Sequence, residues 1–227
     1  MRETIFLICL SLFFVRVAAQ DTYRVGYLPS LNINKKLSDQ WRLNYKVEGR
    51  ALFSQGRLED PSPYQFEYVH TDLSVIGAHK VGLNNKVAVG YLLRARNGDN
   101  RHRFIQQFTI VKRYTAWRLA RRIASDQTFG AGEDAIIRLR YRLSSDFALN
   151  GQTVDPHEFY LKVNHEYLVA FEGGDEDLEI RLIPYLGYLV NDHNKIELGL
   201  DYRLNRLLLE IPQRHTLWLA LNWFVSI

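Results

Sequence analysis

From Trp41 to Phe53 the chain reads WRLNYKVEGRALF, and nearly every second residue is apolar. Trp41, Leu43, Tyr45, Val47, Gly49, Ala51 and Phe53 share one face of an extended strand, and Arg42, Asn44, Lys46, Glu48 and Arg50 share the other. Successive side chains of a β-strand point to opposite faces, so the stretch specifies a strand that is greasy on one side and charged on the other. Leu52 departs from the rule, as an apolar residue on the charged face. The strand is also long. Soluble strands run to about 5–6 residues, whereas a tilted strand crossing a bilayer needs roughly 9–11.

Period-two alternation recurs along the chain. Ile137, Leu139, Tyr141 and Leu143 oppose Arg138, Arg140, Arg142 and Ser144. Phe159 to Phe171, Lys195 to Asn205 and Thr216 to Ile227 split in the same way. Eleven strands are expected, near 24–36, 41–54, 65–82, 86–96, 101–112, 117–126, 135–149, 159–171, 178–190, 195–205 and 214–227. Their connections alternate between short and long, with Asn150–Glu158 a medium break on the short side. Neither a linker nor a repeat divides the chain, and it reads as one domain.

The first residues read as a leader. Arg2 precedes the apolar run Ile5 to Val15, and Val17 and Ala19 stand where small residues precede a cleavage site. A secretory signal peptide over 1–19 is expected, since about eleven apolar residues are too few to span as a helix. The single cysteine, Cys9, falls inside it, so the secreted chain has no disulfide to rely on. Cleavage leaves 27 basic against 24 acidic residues, too mild and too dispersed a charge to imply nucleic acid.

A membrane wall accounts for these features together. In lipid every backbone donor and acceptor must be paired, which a closed sheet achieves without edges. Residues 20–227 are therefore expected to form an all-β fold, a single antiparallel transmembrane β-barrel of about 10–12 strands in a bacterial outer membrane. Aromatics near strand ends, such as Trp41, Phe53, Trp117, Phe159, Phe171 and Trp223, suit interfacial girdles. The rival architecture is a secreted β-sandwich or lipocalin-like binding protein whose apolar face is a dry core. Eleven is an awkward number, because bacterial single-chain barrels have even strand counts. The segment carrying Pro29 is the weakest candidate for the wall, since proline cannot donate to a ladder.

Four stretches carry a family resemblance: NINKKLSDQWRLNYKVEGR, RLRYRL, EFYLKVNHEYLV and the closing HTLWLALNWFVSI. They resemble a family of Bacteroidetes outer-membrane proteins known only as domain of unknown function 2490. The resemblance extends over essentially the whole mature chain. DLEIRLIPYLGY lacks the Asn-Arg pair that members often carry after the acidic loop. It implies an outer-membrane barrel of Gram-negative bacteria and brings no catalytic residues with it.

Chemistry-bearing motifs are sparse. His157 and His165 lack the partners of a zinc site. Neither the acidic loop EGGDED, Glu172 to Asp177, nor FGAGED, Phe129 to Asp134, matches a calcium or phosphate loop, and both read as turns. A lipid-modifying enzyme would need a nucleophile beside a base, and Ser74 with His165 is the pair to test. The most informative feature is the inward charge. Arg94, Arg96, Arg118, Arg122, Arg138, Arg140, Arg142, Arg181 and Arg203 are expected to line the lumen with Glu48, Glu166, Glu197 and Asp201. Two roles compete: a structural interior of Arg–acid pairs filling a narrow barrel, and a small passive channel that prefers an anionic solute. The expected protein is non-enzymatic and needs no cofactor or metal. Its partners would be outer-membrane lipid and the barrel-assembly machinery, reached through the C-terminal strand, whose last residue, Ile227, belongs to the apolar face.

Overall fold

The computed structural model describes residues 21–227; the expected leader, with Cys9, lies outside them. Eleven strands close into a barrel. They are β1 (Thr22–Lys36), β2 (Trp41–Arg57), β3 (Glu67–Lys80), β4 (Asn85–Ala95), β5 (Arg101–Tyr114), β6 (Trp117–Phe129), β7 (Ile136–Ala148), β8 (Phe159–Glu172), β9 (Asp175–Asn191), β10 (Asn194–Asn205) and β11 (Arg214–Ser226). Each pairs with its sequence neighbours in antiparallel register, and β1 closes the wall against β11 in parallel. The parity difficulty is thereby resolved. An odd number of up-and-down strands closes only if one neighbouring pair runs the same way. The expectation of a purely antiparallel barrel is corrected at that seam, which runs from Thr22↔Arg214 to Asn34↔Ser226.

The β1 segment belongs to the wall despite Pro29. Leu28 and Pro29 find no register partners on β2 between the pairs Tyr27↔Ala51 and Ser30↔Glu48. Pro29 lies opposite Gly49, where a Cβ would meet its ring at 3.6 Å. The ladder thus skips the place where a donor is missing. Pro184 in β9 does the same toward β10, between Gly199↔Tyr185 and Tyr202↔Leu182.

Turns at one rim are short, as at β5–β6 and β9–β10, and the C-terminus lies there. The N-terminal end of β1 and the long β2–β3 and β10–β11 loops mark the other rim. The Glu172–Asp177 loop is tighter than expected. Gly173 and Gly174 form a two-residue hairpin turn with φ of +60° and +95°, and the flanking acids belong to strands.

The outer surface is apolar. Val75, Val89, Ile123, Leu139, Leu198, Leu200 and Leu219 are exposed side chains of the outward face. Aromatics gather toward both rims. Tyr114, Trp117 and Phe147 stack at the short-turn rim, with centroids 4.4 and 6.1 Å apart, and Phe159 meets Tyr188 at 4.7 Å. Toward the other rim Phe104 contacts Tyr91 and Phe129 at 5.6 and 6.2 Å. Polar side chains interrupt this face in places: Gln106, Ser125 and Gln127 hydrogen-bond one another across β5 and β6, and Arg121 of β6 and His165 of β8 share the outward parity of their strands.

Candidate functional site

Alternation sends most of the charged side chains of the strands inward, where they meet across the ladders. Asp126 of β6 takes Arg138 and Arg140 of β7, the latter at 2.7 Å, and Arg103 of β5 at 3.4 Å. Glu166 of β8, with no exposed surface, takes Arg142 at 2.6 Å, Arg181 at 3.0 Å and Arg122 at 3.7 Å. Each carboxylate sits among three guanidiniums because Arg-x-Arg-x-Arg on β7 sets a cation every second position beside two acid-bearing strands. Planar guanidinium forks suit such shared carboxylates. Elsewhere the groups are smaller. Arg94 grips Asp72 with two bonds of 2.7 Å, and Arg203 grips Asp201 at 2.9 and 2.6 Å. Glu48 accepts from Lys46 and from Arg50, the latter at 3.0 Å.

A different knot surrounds Glu197. The Tyr160 hydroxyl donates to it at 2.7 Å and Lys162 at 2.9 Å, while Lys195 lies at 3.5 Å. The ring of Tyr160 occupies the space over Gly187, where a Cβ would come within 2.1 Å of it. Lys195 lies 4.4 Å from the Phe224 ring centroid.

Where β1, β2 and β11 meet, part of the lumen is apolar. Leu28, Leu52, Trp218 and Ala220 form a buried cluster, with Val69 and Tyr185 packed on it. Leu52 therefore obeys the alternation: it points inward as its position demands, into an apolar part of the interior. Gly26 admits the Trp218 ring, which a Cβ would approach to 2.5 Å. Between this cluster and the arginines lies a cavity of about 400 Å³, reached by Glu48, Arg94, Arg138, Arg140, Arg142, Arg181, Asp201 and Arg203 of the expected lumen residues.

Other expected residues lie apart from it. Arg122 and Glu166 stand behind the cavity wall in their ion pairs, and Glu197 lies in its own knot. Arg118 sits at the short-turn rim, 45% exposed and paired with Asp146. Arg96 is corrected: it follows the last residue of β4 and stands exposed on the opposite rim, because the strand ends at Ala95. Arg24, Arg50, Arg103, Arg214 and Trp218 line the cavity without having been singled out. Arg50 and Arg103 were legible from strand parity, which also sets Trp218 opposite the apolar face of β11; that its ring borders a cavity follows only from pairing across the barrel.

At the short-turn rim, in the β1–β2 turn, a hydrogen bond and the charge of Lys36 at 2.7 Å hold the Asp39 carboxyl below its ordinary range. The nucleophile–base pair does not form: Ser74 is on β3 and His165 on β8, separated around the barrel by four strands. Among the described residues no group of three or more His, Cys, Asp or Glu is placed to hold a metal ion.

No curated protein and no solved structure matches the chain. A family model does, over residues 25–208, a stretch that takes in β1 to β10 and most of the charged interior just described. The chain belongs to the family described as Protein of unknown function (DUF2490).

Proposed function

We propose that this protein is an outer-membrane β-barrel without enzymatic activity, built around an interior that is filled by ion pairs on one side and apolar packing on the other. The observation that carries this reading is the outer face: a closed wall of exposed aliphatic side chains flanked by aromatics toward both rims. Water gives no reason to arrange a surface in that way, while a bilayer rewards both parts of it. The Gln106–Ser125–Gln127 island fits lipid because its members satisfy one another. Along β9 the lumen closes beyond Tyr185, where Gly187, Tyr160 and the Glu197 knot follow, which favours an occluded barrel over an open anion channel. Lipid and the machinery that inserts outer-membrane strands are the partners this role requires.

Fractionation with detergent, followed by heat-modifiable migration on a gel, tests the membrane barrel. Leu198→Arg sharpens it. Leu198 lies near the middle of β10 and is 48% exposed on the outer face. In vesicles an arginine there is expected to cost about 2–4 kcal/mol of folding stability. A barrel whose wall faces water would lose no more than about 0.5 kcal/mol, and that result would sink the proposal.

A further inference from the structure

The half of the lumen nearer the long loops holds more positive charge than its acids neutralise. Eleven Arg and Lys side chains line the 400 Å³ cavity against four Asp and Glu. Adding Asp126 and Glu166, which hold several of these arginines from the side, still leaves an excess of five. Among the described residues no ion pair joins Arg24 or Arg214 to an acid. Guanidiniums crowded into a space largely shut off from water repel one another unless an anion lies among them.

A second, independent observation concerns hydrogen bonds. The indole Nε1–H of Trp218 is buried and has no acceptor, although the residue is only 5% exposed. Arg50 Nε and Arg140 Nε are likewise buried donors without acceptors. All three residues line the same cavity. Buried donors are almost always paired in folded proteins, and these three, on residues that border the cavity, are left without an acceptor of the chain's own.

We propose that this cavity binds a small, multiply charged phosphate compound of the diphosphate or bisphosphate class. Such a ligand brings several acceptor oxygens and at least two negative charges in a small volume, and guanidinium forks recognise phosphate bidentately. The cavity lies within the size range of small-ligand sites. Entry is from the long-loop rim, because Arg24 and Arg214 line both the cavity and the mouth beside the β2–β3 loop, where Arg206 joins them. Positive charge along that route draws anions inward. The proposal rests on the enclosed lumen of the barrel and not on a lipid-facing wall.

Inorganic pyrophosphate is the probe. Titrated into the ¹⁵N-labelled full chain in detergent micelles, it should shift one indole N–H resonance to saturation, and that resonance should be the one missing from Trp218→Phe. Arg50→Gln and Arg140→Gln should each weaken the affinity about tenfold while heat-modifiability persists. Should either fail to fold, Trp218→Phe keeps the ring and tests the same site by calorimetry. A parallel titration with phosphatidic acid in the micelle separates a lipid headgroup from a soluble ligand: a saturating shift with either supports the phosphate site and names its source. An indole resonance that stays still with both probes, or moves equally with sodium chloride at matched ionic strength, overturns it, as does unchanged affinity in both arginine variants. If the chain proves water-soluble, the pyrophosphate arm runs without detergent, so loss of the membrane role leaves this question open to a separate answer.

Discussion

Glu166 and Glu197 are both buried carboxylates inside the same barrel, yet their surroundings are built differently. Glu166 is shared by three arginines on β6, β7 and β9. Glu197 is met by a tyrosine hydroxyl and two lysines, with aromatic rings closing the space around them. The arginine side has more cations than acids and borders one cavity; on the lysine side Glu197 is enclosed by its partners, and a second pocket touches Tyr160 and Lys195 toward the short-turn rim. Where the arginines crowd, the interior keeps room for a counter-charge; where the Tyr160 ring fills the notch at Gly187, the Glu197 carboxylate itself is sealed by its partners. The contrast assigns recognition to the first region and closure to the second.

Removing each carboxylate charge should separate the two most strongly. Glu166→Gln leaves three buried guanidiniums to share a neutral amide, and a loss of about 3–5 kcal/mol is expected on urea unfolding of the refolded barrel. Glu197→Gln should cost less, about 1.5–3 kcal/mol, because the Lys195 side chain is already 37% exposed and can turn to water. Equal losses would erase the distinction.

A smaller effect probes closure. Gly187→Ala places a methyl group against the Tyr160 ring, which must move and give up its bond to Glu197. Overpacking of this kind costs about 1–3 kcal/mol. If the loss came from the hydroxyl alone, Tyr160→Phe would reproduce it; the ring contact predicts that Gly187→Ala is the more damaging of the two.

Much of this was legible in the sequence. All eleven strands and their two faces follow from period two, because the pleat ties each residue's side to its parity. Strand ends were also close, as with β2 starting at Trp41 and β8 at Phe159. What parity cannot supply is register. Which acid meets Arg140 depends on Ala124↔Arg140 and on the diagonal to Asp126, a cross-strand fact absent from either strand alone. Closure was hidden for the same reason, since the parallel seam between β1 and β11 joins the two ends of the chain. Leu52 looked like an error in the pattern until Trp218, 166 positions later in sequence, supplied the apolar neighbour that explains it.

The rim offers the smallest expected effect and the finest test of how far the Glu197 network extends. Arg118 pairs with Asp146 through its Nε at 2.6 Å, the same distance as Arg142 Nε to Glu166 in the lumen. Its side chain is nevertheless 45% exposed. Water screens such a pair, and holding a long side chain in one place costs entropy, so Arg118→Gln should change stability by about 0–1 kcal/mol. Salt should diminish even that. Asp146 itself is only 16% exposed, however, and stands opposite Lys162 in the β7–β8 register, one step from Glu197. A loss well above 1 kcal/mol that persists in high salt would mean that Arg118 and Asp146 belong to the Glu197 knot. That network would then extend to the pocket that Arg118, Asp146, Tyr160 and Lys195 line at the short-turn rim.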